Sequence, residues 1–253
     1  MKFSKRYSSI VPLLMLAFTN CNYGQHTALP PAKDTVNTAK TNNGYSFGTA
    51  SADGIGKFYF GREISFVMGA GASAWLEREE RNQEENTALA IKNMPLTPNS
   101  VVADIGAGTG YYSFKIAQRI PKGKLYAVDI QPQMIRMLLN RKQQLKDSII
   151  TVVQSTTTAL NLPDNSIDLA IMVDVYHELE FPMEILQSLK KSLKQNGRIL
   201  LIEYRGEDPE VPIKPLHKTT VLQLNKEMAA NGFTLDSKGD FLPIQHFLLY
   251  KKN

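Results

Sequence analysis

The chain has 253 residues, with 29 Lys and Arg, 24 Asp and Glu, and one cysteine. One cysteine excludes an internal disulfide and a cysteine-based metal site, so the fold must stand on its apolar core. Three of the 29 basic residues, Lys2, Lys5 and Arg6, lie in the opening segment; without them 26 face 24 acids, and charge gives no reason to expect a nucleic-acid partner.

That basic opening leads into Ile10 to Phe18, an apolar run broken by Pro12 and too short to span a bilayer comfortably, as in a secretory signal. Phe18-Thr19-Asn20-Cys21 follows at once and resembles a bacterial lipobox, with Asn20 larger than the small residue usual before the cysteine. Residues 1–21 therefore read as an export signal. Lipid on Cys21 and ordinary cleavage both stay open, and the expected location is a bacterial cell envelope, or the cytoplasm if the signal is misread. Residues 22–51 are rich in Asn, Thr, Pro, Gly and Lys without apolar periodicity and read as a flexible tether. About 200 residues remain, enough for one domain that buries roughly 70% of its unfolded surface.

Residues 52–98 are expected to form a lid and a helix. Gly56 to Leu76 is aromatic and glycine-rich with no strong period. Phe66 and Trp75 are expected to pack this lid down, with Gly69 and Gly71 permitting hinge movement. Glu77 to Asn93 reads as one helix, and residues 99–253 as the main domain. There the pattern predicts strands at Val101–Ile105, Leu125–Ile130, Ile149–Gln154, Ile167–Val173 and Arg198–Tyr204. Helices are expected at Tyr111–Arg119, Pro132–Leu145, Pro182–Leu193 and Thr219–Asn231, the last capped by Gly232. Runs such as Leu169 to Val173 and Ile199 to Glu203 are apolar on both faces, which parallel strands covered by helices on both sides require. Phe233–Asp236 and Gln245–Lys251 have no helical segment between them and should pair as an antiparallel hairpin at one edge. The fold class is thus α/β, a doubly wound Rossmann-like sheet of seven strands, mostly parallel.

The chemistry starts at Asp104-Ile105-Gly106-Ala107-Gly108-Thr109-Gly110, a buried strand entering a glycine-rich turn that opens a helix, where backbone can approach a ligand and free helix N–H groups can face an anion. The spacing is not the GxGxxG of dinucleotide sites. Leu125 to Ile130 then places Asp129, a carboxylate, at the end of the second strand, 19 residues after Gly110. Such an acid can accept hydrogen bonds from both hydroxyls of a ribose.

This pattern closely resembles the first motifs of class I S-adenosylmethionine-dependent methyltransferases, over about Asn99 to Lys251. The resemblance implies S-adenosylmethionine as cofactor, bound by Asp104, Gly106, Ala107, Gly108, Gly110, Asp129, Ile130, Thr156 (or Thr157) and Asp174. In it the methionine carboxylate is the anion at the turn, Asp129 holds the ribose, Ile130 packs on the adenine, and Thr156 or Thr157 meets the adenine amine. That threonine assignment follows from matching Leu162 to Asp168 to the family's run before the fourth strand.

Met172 to Glu178 and Glu203 to Arg205 end the next two strands, where open α/β sheets present ligand groups. His177 is a candidate base toward the acceptor, since histidine exchanges protons near neutral pH, and Glu203 is a second catalytic candidate. His217 is placed similarly, and Arg205 either receives an anionic substrate or pairs with Glu207 or Asp208. No acidic cluster marks a magnesium site, and no metal is expected. The implied activity is methyl transfer to a small-molecule acceptor. Two rivals stay open: a nucleoside- or metabolite-binding envelope protein without turnover, and a nicotinamide oxidoreductase, which the glycine spacing and the closing hairpin disfavour.

Overall fold

The computed structural model describes residues 43–253. The export signal, Cys21 and most of the expected tether lie outside the described residues. Among those described, no helix is long and apolar enough to cross a membrane.

The first elements correct the reading of residues 22–76. Strands β1 (Tyr45–Phe47), β2 (Gly54–Tyr59) and β3 (Arg62–Ser65) form a three-stranded antiparallel sheet, so Tyr45–Phe47, expected within a tether, is a strand. Tyr45 and Tyr59 pack with ring centroids 4.9 Å apart and share a small buried cluster with Ile64. Their spacing across glycines hides the strand period, and only the pairing of three short strands buries them.

Helix α1 (Ser73–Leu76) lies in the expected lid, and α2 (Arg81–Glu84) and α3 (Thr87–Asn93) replace the single helix expected over Glu77–Asn93. The break is at Asn86, with φ of 53° and its side chain accepting from the Leu89 N–H. It accompanies the burial of Glu85, which accepts from Arg78, Arg81 and the Tyr204 hydroxyl at 2.7–2.8 Å. Sequence alone presents these charges as a solvated helix face.

The main sheet is built from β4 (Val101–Ile105), β5 (Lys124–Asp129), β6 (Ile150–Gln154), β7 (Ile167–Val173), β8 (Leu193–Arg205), the two-residue β9 (Lys218–Thr219), β10 (Phe233–Gly239) and β11 (Gln245–Lys252). Its order is β10-β11-β8-β7-β4-β5-β6, with β9 beside β8. These are the seven expected strands plus one short addition. Strands β4 to β8 are mutually parallel, and β11 runs antiparallel between β8 and β10.

Alternate residues of each central strand feed two separate cores. Val102, Leu169, Ile171 and Leu200 enter one; Ala103, Ala170, Met172 and Leu201 enter the other. Helices α4 (Ser113–Ala117), α5 (Pro132–Leu145), α6 (Pro182–Ser192) and α7 (Val221–Ala230) complete the α/β alternation. Helix α7 is capped by Thr220, whose Oγ1 accepts from the Gln223 N–H, and is followed by Gly232 at φ of 78°, as expected.

From β4 the chain goes one way to β5 and β6, then returns to the other side for β7 and β8. The order therefore reverses between β4 and β7, and a crevice opens at their carboxyl ends.

Asp104 sits within this core. Ser113 Oγ donates to its Oδ2, and burial lifts the carboxyl from 3.8 to about 7. A raised acid pKa means that the folded state holds the proton more tightly. Stability from this group is therefore greatest in acid and is lost as pH rises through about 7. At 1.36 kcal/mol per unit, the loss amounts to as much as about 4 kcal/mol. Denaturant unfolding of the parent at pH 4 and pH 8 should show this decline, and Asp104→Asn should reduce it by this group's share, with the raised Asp129, Asp174 and Glu178 supplying the remainder; an equal decline in the variant would disprove the assignment.

Candidate functional site

A cavity of about 590 Å³ occupies the crevice. The ends of β4 and β5 supply Gly106, Gly108, Asp129 and Ile130 to its wall; the loop after β6 supplies Ser155, Thr156 and Thr157. From β7 and the loop after β8 come Asp174, His177, Glu178 and His217. Thus Gly106, Gly108, Asp129, Ile130, Thr156, Asp174 and His177 meet at one cavity.

Asp104, Ala107, Gly110 and Glu203 do not line it. Asp104 lies behind the turn, and a Cβ on Gly110 would stand 2.6 Å from Phe114. The turn differs from the expected helix-start cradle. Helix α4 begins only at Ser113. The N–H groups of Gly106 and Ala107 both donate to Val128 O, and that of Gly110 donates to Ala107 O. Backbone geometry at Gly108, with φ of 56°, brings its N–H to Asp129 Oδ2 at 2.9 Å. A side chain at Gly108 would be strained in this region of φ, and its Cβ would stand 2.8 Å from Leu76.

Asp129 also accepts from the Gln131 N–H at 2.8 Å. Burial raises its pKa, while these backbone N–H groups hold it down. One donor per oxygen leaves acceptor capacity for a ligand. Thr156 is more committed: its Oγ1 accepts from the Ala159 N–H at 2.9 Å within its own turn, with Thr157 and Ser155 on the same wall.

Asp174 adopts φ of 54° at the end of β7. Gln245 donates to its Oδ2 at 2.7 Å, while its buried Oδ1 has no hydrogen-bond partner. Burial, followed by the neighbouring Glu85 and Glu203, pushes this carboxyl well above the usual range. An arriving cation would reverse that penalty. The Arg81 guanidinium is 4.0 Å away and also lines the cavity.

His177 is buried, with Nδ1 2.6 Å from Glu203 Oε2. Glu203 is fully buried, and its Oε1 accepts from the N–H groups of Val175 and Tyr176 at 3.1 and 2.8 Å. A carboxylate at Nδ1 assigns the proton there, so Nε2 presents a lone pair. That lone pair faces His217 Nδ1 at 3.1 Å. Burial pulls His217 down to about 4 and pushes Glu178 up to about 7. Arg205 does not line the cavity and pairs with neither Glu207 nor Asp208; its guanidinium donates to the carbonyls of Leu242 and Pro243.

The segment over the cavity is stitched down by backbone rather than by its aromatics. Gln131 donates to Met68 O at 2.9 Å and accepts from Ala70 N–H at 3.0 Å, while Glu178 accepts from Met68 N–H at 3.1 Å. Phe66 and Trp75 are about half exposed, at 54% and 46%, and line the mouth instead of pinning the lid. Neither Gly69 nor Gly71 has a positive φ. Sequence reading missed Arg81, Glu85, Gln131 and Glu178. Only Glu178, beside His177, carried a local hint.

Residues 96–245 match the family model described as a methyltransferase domain. The chain belongs to this methyltransferase family. Among curated relatives of the chain, the demethylmenaquinone methyltransferase of Chlamydia trachomatis serovar L2 is 30% identical over 115 residues, covering 46% of this chain and 49% of the relative. The chain spans about half the length of the curated relatives it matches. A SAM-dependent methyltransferase from Aquifex aeolicus superimposes with a TM-score of 0.69 at 21% identity, over 73% of this chain and 98% of that one. The O-methyltransferase NcsB1 from neocarzinostatin biosynthesis, in complex with S-adenosyl-L-homocysteine and 1,4-dihydroxy-2-naphthoic acid, gives 0.62 at 14% identity over 73% and 58%. The fold of the chain is therefore that of these structures.

Proposed function

We propose that the chain transfers a methyl group from S-adenosylmethionine to a small-molecule acceptor. The observation that carries this reading is the placement of Asp129 beside the Gly108 turn, in the same cavity as a histidine held by a buried glutamate. The residues present fit the cofactor: an acid with spare acceptor capacity for the ribose, and the orphaned Asp174 Oδ1 with Arg81 nearby for the ammonium and carboxylate of a methionine. Ile130 and the hydroxyls of residues 155–157 supply the adenine wall.

The cofactor supplies an already activated methyl group, so what this chain must do is align the acceptor and exclude water. Orientation alone is worth effective molarities of about 10⁵ to 10⁸ M in favourable cases. His177 Nε2, which faces His217 Nδ1 at 3.1 Å, carries the lone pair that would take a proton from a hydroxyl or amine acceptor entering between the two rings, and Glu203 is the residue that orients it. Glu203 touches no cavity and is a positioning residue. The segment at Phe66 to Ala70 covers the site, and its tethering by Gln131 and Glu178 links closure to both halves of the cavity. The basic and apolar opening with Cys21 supports delivery of this activity to a cell envelope, which the mass of the mature amino terminus would reveal.

Calorimetric titration should show one site for S-adenosylhomocysteine and none for NAD, and labelled methyl groups should pass to a member of a small-molecule acceptor panel. Binding of NAD with no binding of S-adenosylhomocysteine would overturn the assignment, and tight binding without turnover across the panel would make the protein a binder.

A further inference from the structure

The geometry points to a binding site for one divalent transition-metal ion of the zinc class, held by His177 Nε2, Glu178 Oε1 and His217 Nδ1 at the acceptor end of the cavity. These atoms come from two parts of the chain. His177 and Glu178 lie in the 3₁₀ turn Tyr176–Glu178 after β7, and His217 in the turn Pro215–His217 at the end of the long loop after β8.

The three donor atoms form a compact triangle. Its sides are 3.1 Å between the imidazole nitrogens, 3.9 Å from His177 Nε2 to Glu178, and 3.7 Å from His217 Nδ1 to Glu178. A point equidistant from corners so placed lies about 2.1 Å from each, inside the roughly 2.0–2.2 Å range of zinc bonds to imidazole nitrogen and carboxylate oxygen. The donor separations are already those that such an ion requires.

The surroundings favour ligation over a chance cluster. Glu203 fixes the His177 tautomer through Nδ1, which leaves Nε2 unprotonated as one corner of the triangle, the carboxylate–histidine–metal arrangement that raises ligand basicity. Glu178 is itself held in place by the Met68 N–H at 3.1 Å. Two imidazoles and one carboxylate select zinc, cobalt, manganese or iron over magnesium and calcium, which prefer oxygen donors. Three protein ligands leave a coordination position open, and all three residues line the cavity, so that position faces its interior.

A catalytic use of the bound ion rests on the methyl-transfer reading. An acceptor hydroxyl or thiol reaching the open position would bind as its anion, giving its proton to solvent. The anion's electron pair would then form the bond to the methyl carbon as the sulfur–carbon bond of the cofactor breaks. His177 would then serve as a ligand, and deprotonation would come from coordination.

The test uses the full chain without a polyhistidine tag, dialysed against EDTA. It is titrated with CoCl₂ by visible absorption and with ZnCl₂ by calorimetry, and S-adenosylhomocysteine is titrated in a parallel sample. The expected result is one ion per chain, with affinity lowered at least about 100-fold in His217→Ala and in Glu178→Gln, both shown to be folded by circular dichroism. Failure of the parent to bind cobalt and zinc, or equal binding by the folded variants, would overturn the site. A parent that binds S-adenosylhomocysteine but no metal sinks the metal site alone; one that binds metal but no S-adenosylhomocysteine sinks the methyl-transfer reading alone.

Discussion

A Gly108→Asp variant is expected to lose about a thousandfold in affinity for S-adenosylhomocysteine, equivalent to about 4 kcal/mol, while remaining folded. Three costs coincide at that position. The residue sits at φ of 56°, which L side chains rarely adopt, and the new Cβ would stand 2.8 Å from Leu76 Cδ1. The added carboxylate would also share a small volume with Asp129, whose Oδ2 is 2.9 Å from the Gly108 nitrogen, and with an arriving methionine carboxylate. Strain of this kind, about 1–3 kcal/mol, is relieved when the turn shifts in the free variant and has to be restored on binding, and the like charge supplies the rest. Calorimetry reads the affinity, and a thermal midpoint within a few degrees of the parent shows that the fold is intact. Parental affinity in the folded variant would mean that the turn is not where the cofactor binds.

Glu203→Gln is expected to lower kcat by about 10²- to 10⁴-fold once an acceptor is in hand, with KM and cofactor affinity changed only a few-fold. The magnitude follows the loss seen when a histidine's orienting carboxylate becomes an amide and the wrong tautomer is held. Both oxygens of Glu203 are in use, one toward His177 Nδ1 and one toward two backbone N–H groups. Glu203→Ala would strip all three donors of their partner inside the protein and should cost about 3–5 kcal/mol of stability, measured by denaturant unfolding. A structural role alone would leave kcat of a folded Gln variant near the parent value, so the split between kcat and KM distinguishes the two.

Much of the main domain was legible because parallel strands covered on both faces need unbroken apolar runs, and Leu169 to Val173 or Ile199 to Ile202 satisfy that need wherever the chain goes. Asp129 was legible because a strand end is set by the run before it. The lid was not. Tyr45, Tyr59 and Ile64 are too sparse to show a period, and their three short strands are stable only as a set. Glu85 and Arg81 read as surface charges because nothing local tells that Tyr204 and Asp174 will meet them in the interior.

By itself the sequence determined the α/β order, the glycine turn with its Asp129 partner, and the glycine that ends the last helix, all of which rest on periodicity or on interactions within a few residues. Tertiary structure alone decided which of the motif residues face the cavity. It set Asp104 and Gly110 behind the wall and left Asp174 Oδ1 without a partner. It also brought His217 within 3.1 Å of His177 across 40 positions of chain. The reason is that a side chain's surroundings depend on the strand order and on the path of the loop after β8, and neither is encoded in any short stretch of residues.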